Sequence, residues 1–279
     1  MTFLIKFANI DSLPVNGILK AADFIVEKND GVPTFLEGKD KPNPKYTAAS
    51  WVTLPYDRMS ISAEGQVSIQ TTVKIPADAQ PGGRYFAVLF EPTSDENKSD
   101  FMSKEEAVAP RIASLVYLRV SGPVKDDALV KQLTAPGFLE YGPIKITSEI
   151  LNRGNYHINP QGNISITNMF GQIVAQEKLA DQNIFPEASR IFTNQLGEKW
   201  MFGKYKISLN ATYGDSGKVL TATVFTWVFP WKIASVITLA IIIIILIFFV
   251  IFRNMRRQEE QLEKKVEELE EKIEEEHKL

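Results

Sequence analysis

The chain has 279 residues, with 31 Lys/Arg against 34 Asp/Glu and no cysteine. That length, less one apolar segment, leaves room for two domains of about 100 residues, and the lack of cysteine removes disulfide frameworks and thiol chemistry. Residues 253–279 hold ten Glu and seven Lys/Arg and so carry the whole formal charge of −3; the rest is neutral and lacks the basic footprint of a nucleic-acid binder.

The opening residues MTFLIKFANIDSLP have no basic start, long apolar run or small-residue cleavage site of a signal peptide. Phe3, Ile5 and Phe7 alternate with Thr2, Leu4 and Lys6, the pattern of an interior strand. One apolar segment near the C-terminus gives no route for exporting what precedes it, so the expectation is a sequence truncated at its N-terminus, with a first sandwich lacking its first strand. Residues 18–26 read as the next strand, closed by the turn signal Asn29-Asp30-Gly31, and a polar loop follows at 39–49. Short strands are expected at 50–52 and 59–62. From Val67 to Ile75 the odd positions are apolar or Thr and the even ones polar, which predicts a half-buried strand. Pro81-Gly82-Gly83 predicts a tight turn into residues 84–90, which are apolar on both faces and belong in the middle of a sheet. A charged loop at 94–106 leads to a further β-branched run at 112–120. About seven strands predict an immunoglobulin-like sandwich over residues 1–121.

Residues 122–229 repeat the pattern, with strands expected at 144–151, 157–160, 163–167, 173–179, 189–193, 205–213 and 219–229. The fold class is therefore all-β: two tandem sandwiches, then a transmembrane helix at 233–252 and a short charged helix at 253–279. The stretch IASVITLAIIIIILIFFVIF carries no charge and is long enough to span about 30 Å of hydrocarbon. Trp227, Phe229 and Trp231 crowd one end as interface anchors, and Arg253, Arg256 and Arg257 crowd the other. The positive-inside rule puts the N-terminal domains outside a cell membrane and the tail in the cytoplasm. Leu262, Val266, Leu269 and Ile273 fall at heptad spacing among Glu and Lys, as in a coiled-coil seam or a solvated amphipathic helix. A seam implies a homo-oligomer through the tail; the bilayer is the other partner expected.

Chemistry is sparse. The two histidines, His157 and His277, lie far apart, and HExxH, GxSxG, GxGxxG and Walker patterns are absent, so no catalytic, cofactor-binding or metal-ligating residue is assigned. Binding is expected rather than catalysis. Trp51 reads as a core residue or a sugar-stacking platform, and Arg84 and Tyr85 as support for the turn or as contacts to a ligand. These three are the candidates for ligand contact.

The stretches Ser50-Trp51-Val52, Val73-Lys74-Ile75-Pro76 and Pro81 to Pro92 resemble the first domain of the bacterial WxL-interacting cell-surface proteins. Leu151-Asn152-Arg153-Gly154-Asn155, His157, Pro160, Gly162 and Asn168-Met169-Phe170-Gly171 resemble that family's second domain. The resemblance covers residues 1 to about 257 and implies a surface-anchored protein that binds peptidoglycan through its first domain and surface proteins or host matrix through its second. The expected role is thus a non-catalytic, membrane-anchored binder of cell-wall glycan or surface proteins. The alternative is an assembly module acting through its span and coiled-coil tail.

Overall fold

The computed structural model describes residues 1–36, 44–93 and 111–276, with side chains as far as residue 266. The loop expected at 39–49 lies partly, and that at 94–106 wholly, outside the described residues, and the side chains of Leu269 and Ile273 lie outside them too. The chain is mostly β, with several sheets and one C-terminal apolar helix.

The first half contributes β1 (Thr2–Ala8), β2 (Val15–Ile25), β3 (Thr34–Leu36), β4 (Val52–Thr53), β5 (Arg58–Ile61), β6 (Gln66–Val73), β7 (Gly82–Pro92) and β8 (Ile112–Val120). They form a β1-β6-β4 sheet and a β3-β2-β7-β8 sheet, with β5 also paired to β2. Period-two alternation decides which side chains go inside. Ile5 and Phe7 of β1 and Ile69 and Val73 of β6 meet Leu19, Phe86, Val88, Phe90 and Leu118 from the facing sheet in one core. Strand β7 lies between β2 and β8 and is buried from Gly82 to Phe90, as its apolar faces require. Its even positions enter that core, while Tyr85, Ala87 and Leu89 enter a second cluster with Phe24, Phe185 and Ala188 on the outer face of the sheet. Asp23, 3% exposed, accepts the backbone N–H groups of Ala48 and Ala49 at 2.8 and 2.6 Å, fixing the 3-10 turn Ala49–Trp51 against the inner core. Trp51 ends this turn rather than lying in the short strand expected at 50–52.

The second half adds β9 (Ala128–Thr134), β10 (Phe138–Leu139), β11 (Ile144–Asn152), β12 (Gln161–Thr167), β13 (Ile173–Lys178), β14 (Ser189–Leu196), β15 (Gly203–Tyr213) and β16 (Lys218–Val228). A β14-β11-β9 sheet faces a β10-β16-β15-β12-β13 sheet. Ile144, Ile146 and Ile150 from one, and Ile164, Ile166, Ile207 and Leu209 from the other, are all fully buried in a single core. Strand β9 was not anticipated, and residues 157–160 form no strand but a single bridge, Ile158 to Ile184.

The helix α1 (Trp231–Glu276) has 46 residues, roughly 69 Å at 1.5 Å per residue. The two helices expected at 233–252 and 253–279 are therefore one, because no Pro or Gly interrupts the stretch from Trp231 to Glu276. Only Phe229 and Pro230 separate it from β16. The Lys232 ammonium sits 2.7 Å from Glu140, tying the first turn to the sheet end. The segment Trp231–Val266 is long and apolar enough to cross a membrane, with a mean hydropathy of 3.4 in its most apolar window and none of that window buried. Leu262 and Val266 are exposed along it.

Because Ile207 is fully enclosed, its truncation to Ala leaves a cavity as well as removing apolar contact. Ile207→Ala should destabilise the fold by about 2–5 kcal/mol, read as a lowered urea midpoint in micelles.

Candidate functional site

Two features stand out: an aromatic junction joining the halves, and beside it a strand edge that is unpaired among the described residues. The junction begins with Asn152, a fully buried residue at the end of β11. Its amide donates to the carbonyls of Tyr156 and Ile184 at 2.8 and 2.9 Å, and its oxygen accepts the N–H of Gly154 at 2.8 Å. That shapes the loop presenting Asn155, Tyr156 and His157 to the first half. Gly82 and Gly83 receive it: the Gly83 N–H donates to the Asn155 carbonyl at 2.8 Å, and Asn155 donates to the Pro81 carbonyl at 3.2 Å. Pro81-Gly82-Gly83 is thus more than the tight turn expected, since both glycines open β7 where another backbone comes close. Gly82 adopts φ +123°, and a Cβ there would lie 2.6 Å from the Asn155 oxygen.

Phe185 fills the centre, with ring centroids 4.9 Å from Tyr85, 5.3 Å from Tyr117 and 5.6 Å from Phe24, all near perpendicular as aromatic quadrupoles prefer. The Tyr85 hydroxyl accepts the His157 backbone N–H at 2.9 Å and lies 3.3 Å from Nδ1. Burial, and then the Arg119 charge, depress the His157 pKa to about 4, so the ring is neutral and Nδ1 is able to accept the phenol proton. Burial also pushes the Tyr85 phenol far above its ordinary range. At the rim, Glu187 accepts from both Lys45 and Tyr46 at 2.9 Å, and those bonds, Lys45's foremost, hold its carboxyl below the usual range. A cavity of about 310 Å³ opens beside the cluster, lined by Phe24, Val26, Tyr46, Tyr85, Phe185 and Glu187.

Of the residues singled out from sequence, Trp51 and Arg84 come together. The Arg84 guanidinium lies 5.6 Å from the Trp51 ring and donates to the carbonyls of Gly83 and Gln80 at 2.8 and 2.9 Å. Tyr85 points from the opposite face of β7 into the junction and is 2% exposed. Trp227 and Trp231 are each 51% exposed near the start of α1, while Arg253, Arg256 and Arg257 lie along the helix on its exposed surface. Phe185 was not singled out, and Asn155 appeared only within the Leu151–Asn155 stretch of the resemblance. Among the described residues no group of His, Cys, Asp and Glu is placed to hold a metal ion.

The second feature is β8. Among the described residues it pairs only with β7, in unbroken register from Gly82–Val120 to Phe90–Ile112. At nine residues it is the longest edge strand, about 30 Å of backbone. Its ends are tied down, by Arg111 to Glu91 at 2.8 Å and by Arg119 to Asp215 at 2.5 Å. Between these ties Ile112, Leu115 and Tyr117 stay 37–47% exposed, and the inward residues become less buried from Val120 and Leu118 towards Ile112.

No family model and no curated protein matches the chain. Among solved structures it overlays on the class 5 fimbriae chaperone CfaA with a TM-score of 0.38 and 15% identity, covering 80% of this chain and 92% of that one. For the Pseudomonas aeruginosa CupB2 chaperone the values are 0.33 and 12%, with 80% and 91% covered. For the Salmonella enterica SafA pilin with the SafB chaperone they are 0.35 and 12%, with 80% and 89% covered. The resemblance to WxL-interacting proteins is corrected here: no family model supports it, and the overlaid structures are fimbrial chaperones. With it go the expected membrane-anchored binding of cell-wall glycan and the coiled-coil assembly role. In physical terms, the Trp51 ring that would stack on a sugar packs on the first core beneath the Arg84 guanidinium.

Two predictions follow from the junction. Gly82→Ala combines a strained φ with a clash against backbone and should destabilise by more than about 1 kcal/mol, visible as a lowered thermal midpoint. The His157 ring takes up a proton near pH 6.5 when unfolded but only near 4 when folded. Between those values the unfolded state binds more protons, so stability is fully present above pH 6.5 and declines as pH falls towards 4. His157→Gln should flatten that slope in thermal melts across the window.

Proposed function

We propose that this chain is a non-catalytic assembly protein that binds an extended segment of another protein along β8, adding it to the β3-β2-β7-β8 sheet. The observation that carries this reading is the nine-residue edge of β8, unpaired on one side among the described residues, tied by an ion pair at each end and apolar at Ile112, Leu115 and Tyr117. A free edge offers unpaired N–H and C=O groups, and an incoming strand satisfies them while its alternate side chains complete the graded core beneath Ile112 and Val116. Those backbone bonds tolerate many sequences, and side-chain pockets add selectivity.

In this reading residues 1–121 and 122–229 are two sandwich domains locked by the junction, and α1 crosses a bilayer with its arginines on the inner side. The Salmonella enterica chaperone was solved with a pilin; a protein subunit on its way into an assembly is the class of partner proposed here. The low TM-scores give that parallel no weight, and the proposal stands on β8 itself.

Photo-crosslinking amino acids placed singly at Ala113, Leu115 and Tyr117 of the membrane-embedded chain test it. The expected result is capture of one partner at positions about two residues apart in an extended segment, running in order along β8. Crosslinks to scattered positions, or loss of none of the crosslinks when Ile112 and Val116 are changed to Asp, would overturn strand addition.

A further inference from the structure

The end of the second half from which α1 leaves carries an apolar rim outside its core. Phe138 is 53% exposed, Phe170 81%, Trp200 64%, Phe202 67%, and Trp227 and Trp231 51% each. These six come from separate parts of the chain, but register brings them to one level. Gly203 pairs with Val228 and Phe138 with Trp227, so β15, β16 and β10 meet at this end. Thr167 pairs with Lys206, and the 168–171 turn returns so closely that a Cβ on Gly203 would lie 2.8 Å from the Met169 methyl. The Gly142 N–H donates to the Lys199 carbonyl at 3.1 Å, bringing Tyr141 to 5.4 Å from the Trp200 ring, and Phe202 lies 5.4 Å from Phe229. Lysines frame the rim: Lys199 over Trp200, Lys204 over Phe225 and Lys232 over Trp231, at 5.6, 4.6 and 5.8 Å. The acids at this end are Glu198 and Glu140, and Glu140 is paired with Lys232.

We infer that this rim is a bilayer-contact surface, seating the second half in the headgroup layer of a phospholipid membrane. The inference rests on the reading of α1 as a span. The occupant follows from continuity: the uncharged run starts at Ile233, two residues beyond Trp231, and only Phe229 and Pro230 separate the helix from β16. Side chains level with Trp231 therefore lie where hydrocarbon gives way to headgroups. Exposed Trp and Phe suit that depth, and lysines with apolar stems and wet ammonium groups suit it equally. An aromatic patch drawn from this many loops would be a liability facing water. Phe170, in its turn, is the most exposed of the six.

The chain has no cysteine, so single Cys substitutions label uniquely. Nitroxides on Phe170→Cys, Trp200→Cys, Ser216→Cys and Ile243→Cys are placed in the full chain, reconstituted in phosphatidylcholine vesicles with a minority of phosphatidylglycerol. Collision with oxygen is compared with collision with a water-soluble nickel chelate. Ser216 lies in the turn at the opposite end of β15 and β16, and Ile243 lies within the apolar run. The expected oxygen-to-nickel ratio is several-fold higher at 170 and 200 than at 216, and highest at 243. Labels at 170 and 200 as open to nickel as that at 216, with 243 still deep, would overturn the rim while leaving the span intact. A label at 243 open to nickel would overturn the span and the rim together. Labels at 170 and 200 shielded from both reagents, increasingly so at higher protein density, would show that a protein surface covers the rim and would overturn it as well.

Discussion

Burial of β7 on both faces is the constraint on which the rest of the structure depends. A sheet in a two-layer sandwich buries one face by itself; its other face must be polar or be covered. Here Tyr85, Ala87 and Leu89 occupy the outer face, and the cover is Phe185 and Ala188 from the second half together with Val26, Phe35 and Tyr46. The core of the first half is thus completed by residues a hundred positions away. The junction is a shared apolar surface, trimmed at its rim by Lys45, Tyr46 and Glu187, and its polar members are satisfied among themselves.

That arrangement leaves β8 in an unusual position. Its partner β7 is immobilised from both sides, and its own ends are pinned by ion pairs to Glu91 and Asp215. An edge strand is ordinarily blunted by a bulge, by proline or by inward-pointing charge. From Ile112 to Leu118, β8 has none of these. A pre-formed edge in unbroken register loses little conformational freedom when a partner strand docks, which favours binding.

Much of the strand framework was legible because local pattern and burial coincide. The alternation from Val67 to Val73 matches β6, the apolar run at 84–90 marks a central strand, and Tyr205 to Tyr213 alternates as β15 does. The hydrophobic stretch after Ile233 announced a helix by composition alone. What stayed illegible depends on distance in sequence. Tyr85, His157 and Phe185 meet only because two halves dock, and no window of residues contains that fact. That β8 pairs on one side only, among the described residues, depends on every other strand and not on its own pattern. Trp51 was misplaced in a strand because its β-branched neighbour Val52 suggested one, whereas a buried carboxylate 25 residues upstream of Ala48 dictates a turn. Only the folded register sets Phe170 and Trp200 level with Trp231.

The link between β16 and α1 has a mechanical meaning. Two residues, one of them proline, leave almost no torsional freedom; Trp231 donates to the Phe229 carbonyl at 2.8 Å, and the Lys232–Glu140 pair braces the first turn. The helix then runs unbroken to Glu276, with no joint along its length. Sheet and helix therefore form one stiff lever. A tilt or twist imposed on the sandwiches by a load drawn along β8 would turn the distal part of the rod with it, as a key turns the far side of a lock.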